Sequence, residues 1–509
     1  AQIAQDNGKI HPRLEASAGD FASSALEMLQ EAPRSLPSRR FYRLVESTLE
    51  GADKQDHMML GMAQAVGDSR REIGKEENAE PALLKALTER QLLVQLSQNL
   101  ADPNQTLAHI GPVLAKLPDD MGARTAFTIA NQYVRKGQWQ LARETFLLMV
   151  DRYPQHPLAI DAYRWLIRHI SSSEARRRQE LGQFHAASAV QYNPQLKANP
   201  KPGEIQQAKG TEIAGDYRVD FLGNRDEARQ WFRGSLLFGQ RLAAFGTLYA
   251  SDPSIQFCLQ SSRRQLGEFG PAQEWYSKYR AYGPKGPWSD AASAEAWLQN
   301  RLLPAPRHLA LCRFANQKPY LDGKFDDPCW QGLQPLIMDN AVGETAKEYP
   351  TQAWLAYDQE FLYIALRCEH PAGRAVPPEK TRTRDANLDP YDRVSILLDL
   401  DRDYATYFQL EVDQRGCVRE DCWGDLTWDP RWFVAVHSTE GAWQIEAAIP
   451  LNELTGERIR PNNAWAINVV RTLPGRGVQA WSLPADVQPR PEGMSLMIFH
   501  QEPTRPARP

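Results

Sequence analysis

The stretch Tyr320-Leu-Asp-Gly-Lys-Phe-Asp-Asp-Pro-Cys-Trp330 divides the chain into two parts of different character. Its Asp-Gly and Asp-Asp-Pro steps are typical of turns, and aromatic residues stand at both of its ends. Apolar residues recur with a helical period before this stretch and alternate as in β-strands after it. The sequence therefore predicts an α-helical part followed by an antiparallel β-sandwich, with the boundary near Pro306.

Length and composition place limits on the class of protein. The chain has 509 residues, of which 42% are hydrophobic and 24% charged, as in ordinary globular proteins with several domains. The net charge of -4 creates no field that would attract a polyanion, so we expect no nucleic acid partner. The sequence contains no apolar run long enough to cross a bilayer, so we expect no transmembrane segment.

The start of the chain and its cysteines both favour an exported protein. The sequence begins Ala-Gln-Ile, which fits a mature secreted or periplasmic chain whose signal peptide has been removed, although a chain that merely lacks its first Met would look the same. Five of the six cysteines lie in the β part. We predict disulfides between Cys312 and Cys329 and between Cys417 and Cys422, with buried free thiols as the alternative.

The clearest internal pattern of the helical part surrounds Gly137. This glycine permits a tight turn between helices, Trp139 follows it, and Ala142 is small enough for two helices to approach closely. Phe146 lies one turn further on, and Pro154 ends the second helix. This spacing resembles the tetratricopeptide repeat, a helix-turn-helix unit of about 34 residues.

The same spacing recurs twice in the helical part. Its members are Gly223, Ala228 and Phe232, and then Gly267, Ala272 and Tyr276. The resemblance implies a helical solenoid over residues 1–305, with sub-arrays at 15–190 and 210–300. Because solenoids present a concave surface, we expect a protein partner to bind the helical repeats.

Alternating apolar and polar residues continue through the β part. Residues 351–357 and 361–367 form one predicted hairpin, and residues 433–437 and 443–449 form another across Glu440-Gly441. Many short strands with Gly, Asp and Pro turns predict a β-sandwich over residues 306–500. We expect residues 501–509 to be a disordered tail.

Five motifs of the β part carry a second resemblance. They are residues 322–330 (Asp-Gly-Lys-Phe-Asp-Asp-Pro-Cys-Trp), 354–366, 391–399 (Tyr-Asp-Arg-Val-Ser-Ile-Leu-Leu-Asp), 443–450 (Trp-Gln-Ile-Glu-Ala-Ala-Ile-Pro) and 480–482 (Ala-Trp-Ser). In this order they are similar to the family 9 carbohydrate-binding module and its relatives of the same sandwich fold. The resemblance implies a carbohydrate ligand and a role in carbohydrate catabolism, since such modules usually accompany glycosidases.

The resemblance also implies the residues of a sugar site. In the family, a sugar is held between two aromatic side chains while polar groups bind its hydroxyls. By position, Trp481 is one aromatic wall, Tyr391 stands near the place of the other, and Gln409 and Glu411 occupy the polar positions.

Three further tryptophans offer an alternative aromatic platform. Trp423, Trp428 and Trp432 lie in an acidic, loop-like stretch, and the first two are carbohydrate-binding candidates. The competing interpretation is that these rings pack in the core or against the helical part, because large aromatic side chains are mostly buried.

Calcium is the one cofactor for which the sequence offers ligands. Asp399, Asp401 and Asp403 stand at alternating positions, oxygen ligands suit this cation, and the resemblance implies that calcium binds in the family. A solvated acidic turn is the alternative, since the spacing matches no EF-hand loop. Related sandwiches bind haem, but the sequence has no Cys-x-x-Cys-His and no recognisable axial pair.

Catalytic motifs are missing from the sequence. It contains no Gly-x-Ser-x-Gly, no His-Glu-x-x-His and no glycine loop of the phosphate-binding type. We therefore interpret the protein as an exported, non-catalytic adaptor whose sandwich binds a glycan and whose helical repeats bind a protein. Two alternatives stay open: a structural or assembly subunit of a larger exported complex with no sugar ligand, and a haem-binding sandwich of the same fold.

Overall fold

The computed structural model describes residues 110–190, 225–343, 346–371, 376–377 and 385–500. Helices come first and a large sheet follows, so the predicted order of a helical part and a β part is confirmed. The chain divides into two compact units, residues 1–163 and 164–509. The predicted helices before residue 110, the loop between the predicted sub-arrays and the predicted tail at 501–509 lie outside the described residues.

Helices α1 (Asp119–Arg135) and α2 (Trp139–Arg152), with the start of α3 (Leu158–Ser171), belong to the first unit. Gly137 makes the turn between α1 and α2 with a φ of 67°, a conformation that glycine adopts without strain. Trp139, Ala142 and Phe146 are buried between the helices, as the spacing predicts. The local helix-turn-helix is therefore present, while its assignment to the tetratricopeptide family stays a prediction.

The second unit contains six further helices between α3 and the sheet among its described residues. They are α4 (Ser173–Val190), α5 (Arg225–Ala243), α6 (Thr247–Ala250), α7 (Pro253–Gln265), α8 (Phe269–Tyr282) and α9 (Pro287–Gln299). Gly267, with a φ of 84°, turns α7 into α8, and Ala272 and Tyr276 are buried as predicted. Phe269, at the place of Trp139, is instead 54% exposed. The first position of the remaining repeat, Gly223, lies outside the described residues.

The strands of the β part form one mixed sheet that curls into a half-barrel. They are β1 (Leu309–Phe314), β2 (Leu336–Ile337), β3 (Asn340–Val342), β4 (Thr351–Tyr357), β5 (Phe361–Glu369), β6 (Arg393–Asp399), β7 (Phe408–Asp413), β8 (Val418–Cys422), β9 (Phe433–Ser438), β10 (Ala442–Pro450), β11 (Ala464–Leu473), β12 (Gly477–Ala480) and β13 (Ser495–His500). The short helix α10 (Leu451–Leu454) follows β10.

Strand order and direction complete the description of the sheet. The main path runs β8-β7-β6-β11-β13-β1-β4-β5-β10-β9, with β12 beside β11 and β3, and β2 beside β4. The predicted hairpins β4–β5 and β9–β10 are confirmed. Most pairs are antiparallel, but β1 runs parallel to both β13 and β4 and joins the two halves of the sheet.

The opening stretch 320–330 is fixed to the sheet by a buried carboxylate. Glu446 in β10 accepts the indole N–H of Trp330 on Oε1 at 2.7 Å. Its Oε2 accepts the backbone N–H groups of Asp322 at 3.0 Å and Gly323 at 2.8 Å. The turn residues that mark the start of the β part in the sequence therefore owe their position to a residue more than one hundred positions later.

A buried ion pair fixes the segment before β6. The guanidinium of Arg471 in β11 donates to both carboxylate oxygens of Asp392, and it also donates to Thr351 Oγ1 and to the carbonyl of Glu369. Trp443 donates its indole N–H to the same carboxylate at 3.0 Å. This network connects β11 to β4, β5 and β10, so it joins the two halves of the sheet through side chains.

Helices α7 to α9 pack on one end of the sheet within the second unit. Phe257 of α7 lies 5.4 Å from the ring of Tyr404 in an edge-to-face contact, and both side chains are buried with Leu397 and Ala466 of the sheet. Pro306 falls between the end of α9 and the start of β1, so secondary structure changes where predicted. The division into domains at 1–305 and 306–500 stays a prediction.

The cysteines are arranged differently from the prediction. All six are buried free thiols, so neither predicted disulfide is present. Cys417 directly precedes β8 and Cys422 ends it, and a strand of this length separates them by about 16 Å, well beyond disulfide geometry. Cys329 packs in the cluster around Trp330, whereas Cys312 lies within β1.

Candidate functional site

One face of the sheet carries hydrogen-bonding side chains on four neighbouring strands. Between β7 and β6, Glu411 lies opposite Ser395 and Gln409 lies opposite Leu397. Between β6 and β11, Leu397 lies opposite Asn468. Because alternate residues point to the same face, these positions share one side with Arg393 and with Arg419 of β8. We call Arg393, Ser395, Gln409, Glu411, Arg419, Asp421 and Asn468 the polar face.

The other side of β6 and β7 is apolar. Its residues include Val394, Ile396, Leu410 and Val412, all buried, while the neighbouring strands β11 and β8 place the buried Arg471 and Glu420 on that side. This clean alternation is the reason why β6 and β7 form half-polar strands, and the apolar side fixes their register. The polar face is thus a consequence of the strand period and needs no irregular backbone.

Charge pairs organise the polar face around Glu411. Arg419 donates to Glu411 Oε2 with N–O distances of 2.7 and 2.6 Å, and Ser395 donates its hydroxyl to Oε1 at 2.7 Å. Asp389, which is 65% exposed, lies 3.4 Å from Arg419 and 3.5 Å from Arg393. The acidic and basic groups therefore compensate one another, and the exposed rim of the face is formed by Asp389 and Arg419.

A loop covers the β11 side of the polar face. Residues 484–490 lie over Ser395, Gln409 and Asn468 and leave a cavity of about 10 Å³. A cavity of this volume holds about one water molecule. Asp486 and Arg490 in the loop form an ion pair at 2.9 Å. A ligand larger than water therefore has access to the face only at its rim or after this loop moves.

Three of the predicted sugar-site residues lie at or beside the polar face. Gln409 and Glu411 belong to it, and both are nearly buried. Tyr391 is half-buried, and the guanidinium of Arg415 lies 3.5 Å from its ring centroid. Since Asp392 is held by Arg471, the backbone of the neighbouring Tyr391 is held in place as well.

The predicted tryptophans are placed differently. Trp481 is only 4% exposed, and its role as an aromatic wall of a sugar site stays a prediction. Trp428 is buried and stacks on Phe408 with ring centroids 4.3 Å apart. Trp423 stacks on Trp165 of α3 at 6.3 Å. Trp423 therefore meets a helix, whereas Trp428 and Trp481 pack against residues of the β part.

The predicted calcium ligands meet a helix residue that lies far from them in sequence. Oxygen atoms of Asp399, Asp401 and Glu174 lie within 4.8 Å of one another, and all three residues are buried. Asp403 is a buried neighbour of this group and not a member: its backbone N–H donates to Asp399 and Asp401, and its Oδ1 accepts the N–H groups of Ala405 and Thr406 at 2.7 Å. The structure thus replaces Asp403 by Glu174 in the cluster.

The chemistry of this acidic cluster fits a hard cation. Burial and the neighbouring carboxylates raise the pKa of Glu174 and of Asp399 well above their usual values. Among the described residues, no Lys or Arg forms a salt bridge with Glu174, Asp399 or Asp401. Backbone N–H groups of Leu400 and Ser173 satisfy one oxygen each of Glu174 and Asp401 at 2.6 Å. Calcium binding here stays a prediction.

Several residues of these sites were not predicted from the sequence. Arg393, Ser395 and Arg419 follow the same two-residue period as Gln409 and Glu411, so the period itself would have identified them. Glu174 has no comparable signal, since nothing local connects a helix start to the end of β6. The haem alternative stays a prediction.

Comparison with known proteins adds distant likenesses. No family model matches the chain, and no curated protein matches it. Among solved structures, a family 9 carbohydrate-binding module from Caldicellulosiruptor kristjanssonii, in complexes with cellotriose and with glucose, is 14% identical and covers 40% of this chain and 100% of its own, with a TM-score of 0.31. A putative carbohydrate-binding protein from Bacteroides uniformis is 12% identical and covers 38% and 98%, with a TM-score of 0.28. These likenesses are too distant to assign a family or a ligand.

Membrane insertion through helices finds no support in the described part of the chain. None of its helices combines the length and the apolar character that a bilayer span requires.

Proposed function

We propose that the protein binds a carbohydrate at the rim of the polar face and that this binding is non-catalytic. The observation that carries the proposal is the set of side chains that alternate positions of β6, β7 and β8 present to one side, together with the half-buried Tyr391. Sugar hydroxyls need donors and acceptors in fixed places, and a sugar ring needs an aromatic or apolar surface. The rim offers both within a few residues.

The charge balance of the rim favours a neutral sugar. Arg419 is compensated by Glu411 and by Asp389, and Arg393 lies near the same two carboxylates. A compensated pair still offers N–H donors and oxygen acceptors to hydroxyls, but it has no surplus charge to attract an ion. We therefore expect a hydroxyl-rich, uncharged ligand.

The position of Tyr391 supports stacking on one side of its ring. Arg415 occupies one ring face, and its own position is fixed by Asp413 at 2.7 Å. We propose that the opposite face of Tyr391 contacts the apolar C–H face of the sugar. The loop 484–490 then lies beside the bound sugar, since it covers Gln409 and Ser395 from the β11 side.

Binding without hydrolysis fits the roles of the carboxylates. Glu411 is engaged by Arg419 and Ser395, so it is held as an acceptor. Asp421 in β8, on the same face, has its pKa raised to about 6, chiefly by burial. Its Oδ1 accepts the N–H of Gly424 at 2.7 Å, which fixes it in the turn after β8. We propose that neither group acts as a proton donor to a glycosidic bond.

A glycan array tests the proposal. The full-length protein is compared with Tyr391→Ala and with Tyr320→Ala, which removes a half-exposed tyrosine far from the polar face. We expect the unmodified protein and Tyr320→Ala to retain the same neutral glycans and Tyr391→Ala to lose them. Retention by no glycan, equal retention by all three proteins, or release of shorter sugars from the retained glycan would contradict the proposal.

The partner and location that the sequence predicts are not needed for this proposal. A protein partner of the helical repeats and export from the cytoplasm stay predictions, as does an assembly role without sugar.

A further inference from the structure

A second cavity lies on the helical side of the second unit. Its volume is about 360 Å³, within the range of cavities that bind small molecules. It is bounded by α4, α5 and α9, by the loop after β6, and by the segment from Leu454 to Trp465. No residue of the polar face lines it, so it is a separate site.

The lining of this cavity is strongly basic. Five arginines line it: Arg176, Arg177, Arg301, Arg402 and Arg458. Only two acidic residues, Glu180 and Glu457, stand with them, which leaves a surplus of three positive charges. The whole chain has a net charge of -4, so this local surplus is opposite in sign to the protein. Charges in a partly enclosed cavity are screened less than charges in bulk water.

Two of the arginines form the wall of the cavity. Arg177 donates to the carbonyl of Asn452 and to Glu180 at 3.1 Å. Arg402 donates to Glu295 at 2.8 Å and to the carbonyl of Ala464. These contacts fix both guanidinium groups between the helices and the sheet.

Two other arginines of the cavity, Arg301 and Arg458, have guanidinium N–H groups that no carboxylate of the described residues engages. Among the described residues, neither Arg301 nor Arg458 forms a salt bridge with a carboxylate. Arg301 makes only long hydrogen bonds, of 3.5 and 3.3 Å, to Asn462. Partial burial and the nearby Arg402 lower its pKa.

We propose that this arginine cavity binds a small molecule with two or more acidic groups, either carboxylates or sulfate or phosphate groups. The planar guanidinium group matches the paired oxygens of all three anions, which is why arginine is favoured for their recognition. Arg301 and Arg458 contact the ligand, while Arg177 and Arg402, each paired with a carboxylate, fix the shape of the wall. The volume limits the ligand to the size of a small metabolite or a disaccharide.

Calorimetric titration of the full-length protein at low salt tests this. The probes are citrate, inorganic sulfate and inorganic phosphate, with glucose as the uncharged control. We expect at least one of the anions to bind with a Kd below about 1 mM. Any heat measured with glucose is expected to be the same for the unmodified protein and for variants of Arg301 and Arg458. Binding of citrate alone identifies carboxylates, and binding of sulfate and phosphate alone identifies the ester anions.

Matched variants separate the cavity from general surface charge. Arg301→Gln with Arg458→Gln removes two lining charges, and we expect the affinity to fall by about tenfold or more. Arg460→Gln removes an exposed arginine of the same segment that does not line the cavity, and we expect it to change little. Arg458 is exposed, so the single variant Arg458→Gln replaces the double variant if that protein is unstable. Absence of binding for all three anions, or an equal loss in Arg460→Gln, would overturn the proposal.

Discussion

Arg471 and Asp392 form a two-pronged ion pair, with distances of 2.8 Å from Nε to Oδ1 and 2.6 Å from Nη2 to Oδ2. The side chain of Arg471 is fully buried. Asp392 stands between Tyr391 and Arg393, so this pair positions the chain at the rim of the polar face. A structural ion pair and the proposed sugar site are thus connected through three consecutive residues.

Loss of the Arg471 guanidinium is expected to be costly. Arg471→Met leaves Asp392 buried without a cation, and breaking a buried pair in this way costs about 3–5 kcal/mol. We expect a loss of this size in the free energy of unfolding measured by urea denaturation. The control is Arg367→Met in β5. The side chain of Arg367 is 44% exposed and lies 3.8 Å from Glu369, so its ion pair is a surface pair. Equal stability of the two variants would show that the Arg471 pair does not support the fold.

Glu446 predicts a dependence of stability on pH. Burial raises its pKa to about 7, although the hydrogen bonds from Trp330, Asp322 and Gly323 act in the opposite direction. In the unfolded chain this carboxyl titrates near its ordinary value of about 4.3. Between these two values the folded state binds more protons than the unfolded state. The contribution of Glu446 to stability is therefore full below pH about 4 and is lost as the pH rises to about 7.

A pair of variants isolates that contribution. Glu446→Gln cannot titrate, so we expect the decline in unfolding free energy between pH 5 and pH 7 to become shallower, as measured by denaturation at a series of pH values. Glu440→Gln removes an exposed carboxyl in the β9–β10 turn and leaves the slope unchanged. Identical slopes for both variants and the unmodified protein would count against a raised pKa at Glu446.

Two glycines allow a test of how the opening stretch packs. Gly323 has a φ of 82°, and a Cβ atom there would lie 2.6 Å from the backbone nitrogen of His437 in β9. Gly332 has a similar φ of 71°, but its nearest neighbour, Arg313 Nη1, is 4.0 Å away. We expect Gly332→Ala to cost about 1 kcal/mol from the backbone conformation alone. Gly323→Ala is expected to cost about 2 kcal/mol more, because β9 must move. Equal melting temperatures for the two variants would contradict this packing.

Calcium binding has a simple expected outcome. Mutual repulsion of Glu174, Asp399 and Asp401 is relieved by a divalent cation, so we expect calcium to raise the melting temperature of chelator-treated protein. Glu174→Gln is expected to reduce this increase, whereas Glu440→Gln, which removes an exposed carboxyl in the β9–β10 turn, is expected to preserve it. An unchanged melting temperature with millimolar calcium would show that the acidic cluster does not bind calcium.

Local sequence patterns predicted helices and strands correctly and identified two residues of the polar face. The turn at Gly137 and the hairpin of β9 and β10 follow from residues close in sequence, and the two-residue period places Gln409 and Glu411 on one face. The burial of Trp481 was beyond such patterns, because its neighbours come from distant segments such as His308. Glu174 joins the acidic cluster only through the packing of α4 on the loop after β6.

Calorimetric titration with neutral oligosaccharides tests the central claim most directly. The ligands are those retained on the glycan array, and the proteins are the unmodified chain, Arg419→Gln at the rim and Arg367→Gln on the other half of the sheet. We predict that Arg419→Gln weakens the affinity by about tenfold or more, since it loses charge-assisted hydrogen bonds, and that Arg367→Gln binds as the unmodified protein does. Equal affinities for all three proteins, or no binding of any neutral oligosaccharide, would contradict a sugar site on the polar face.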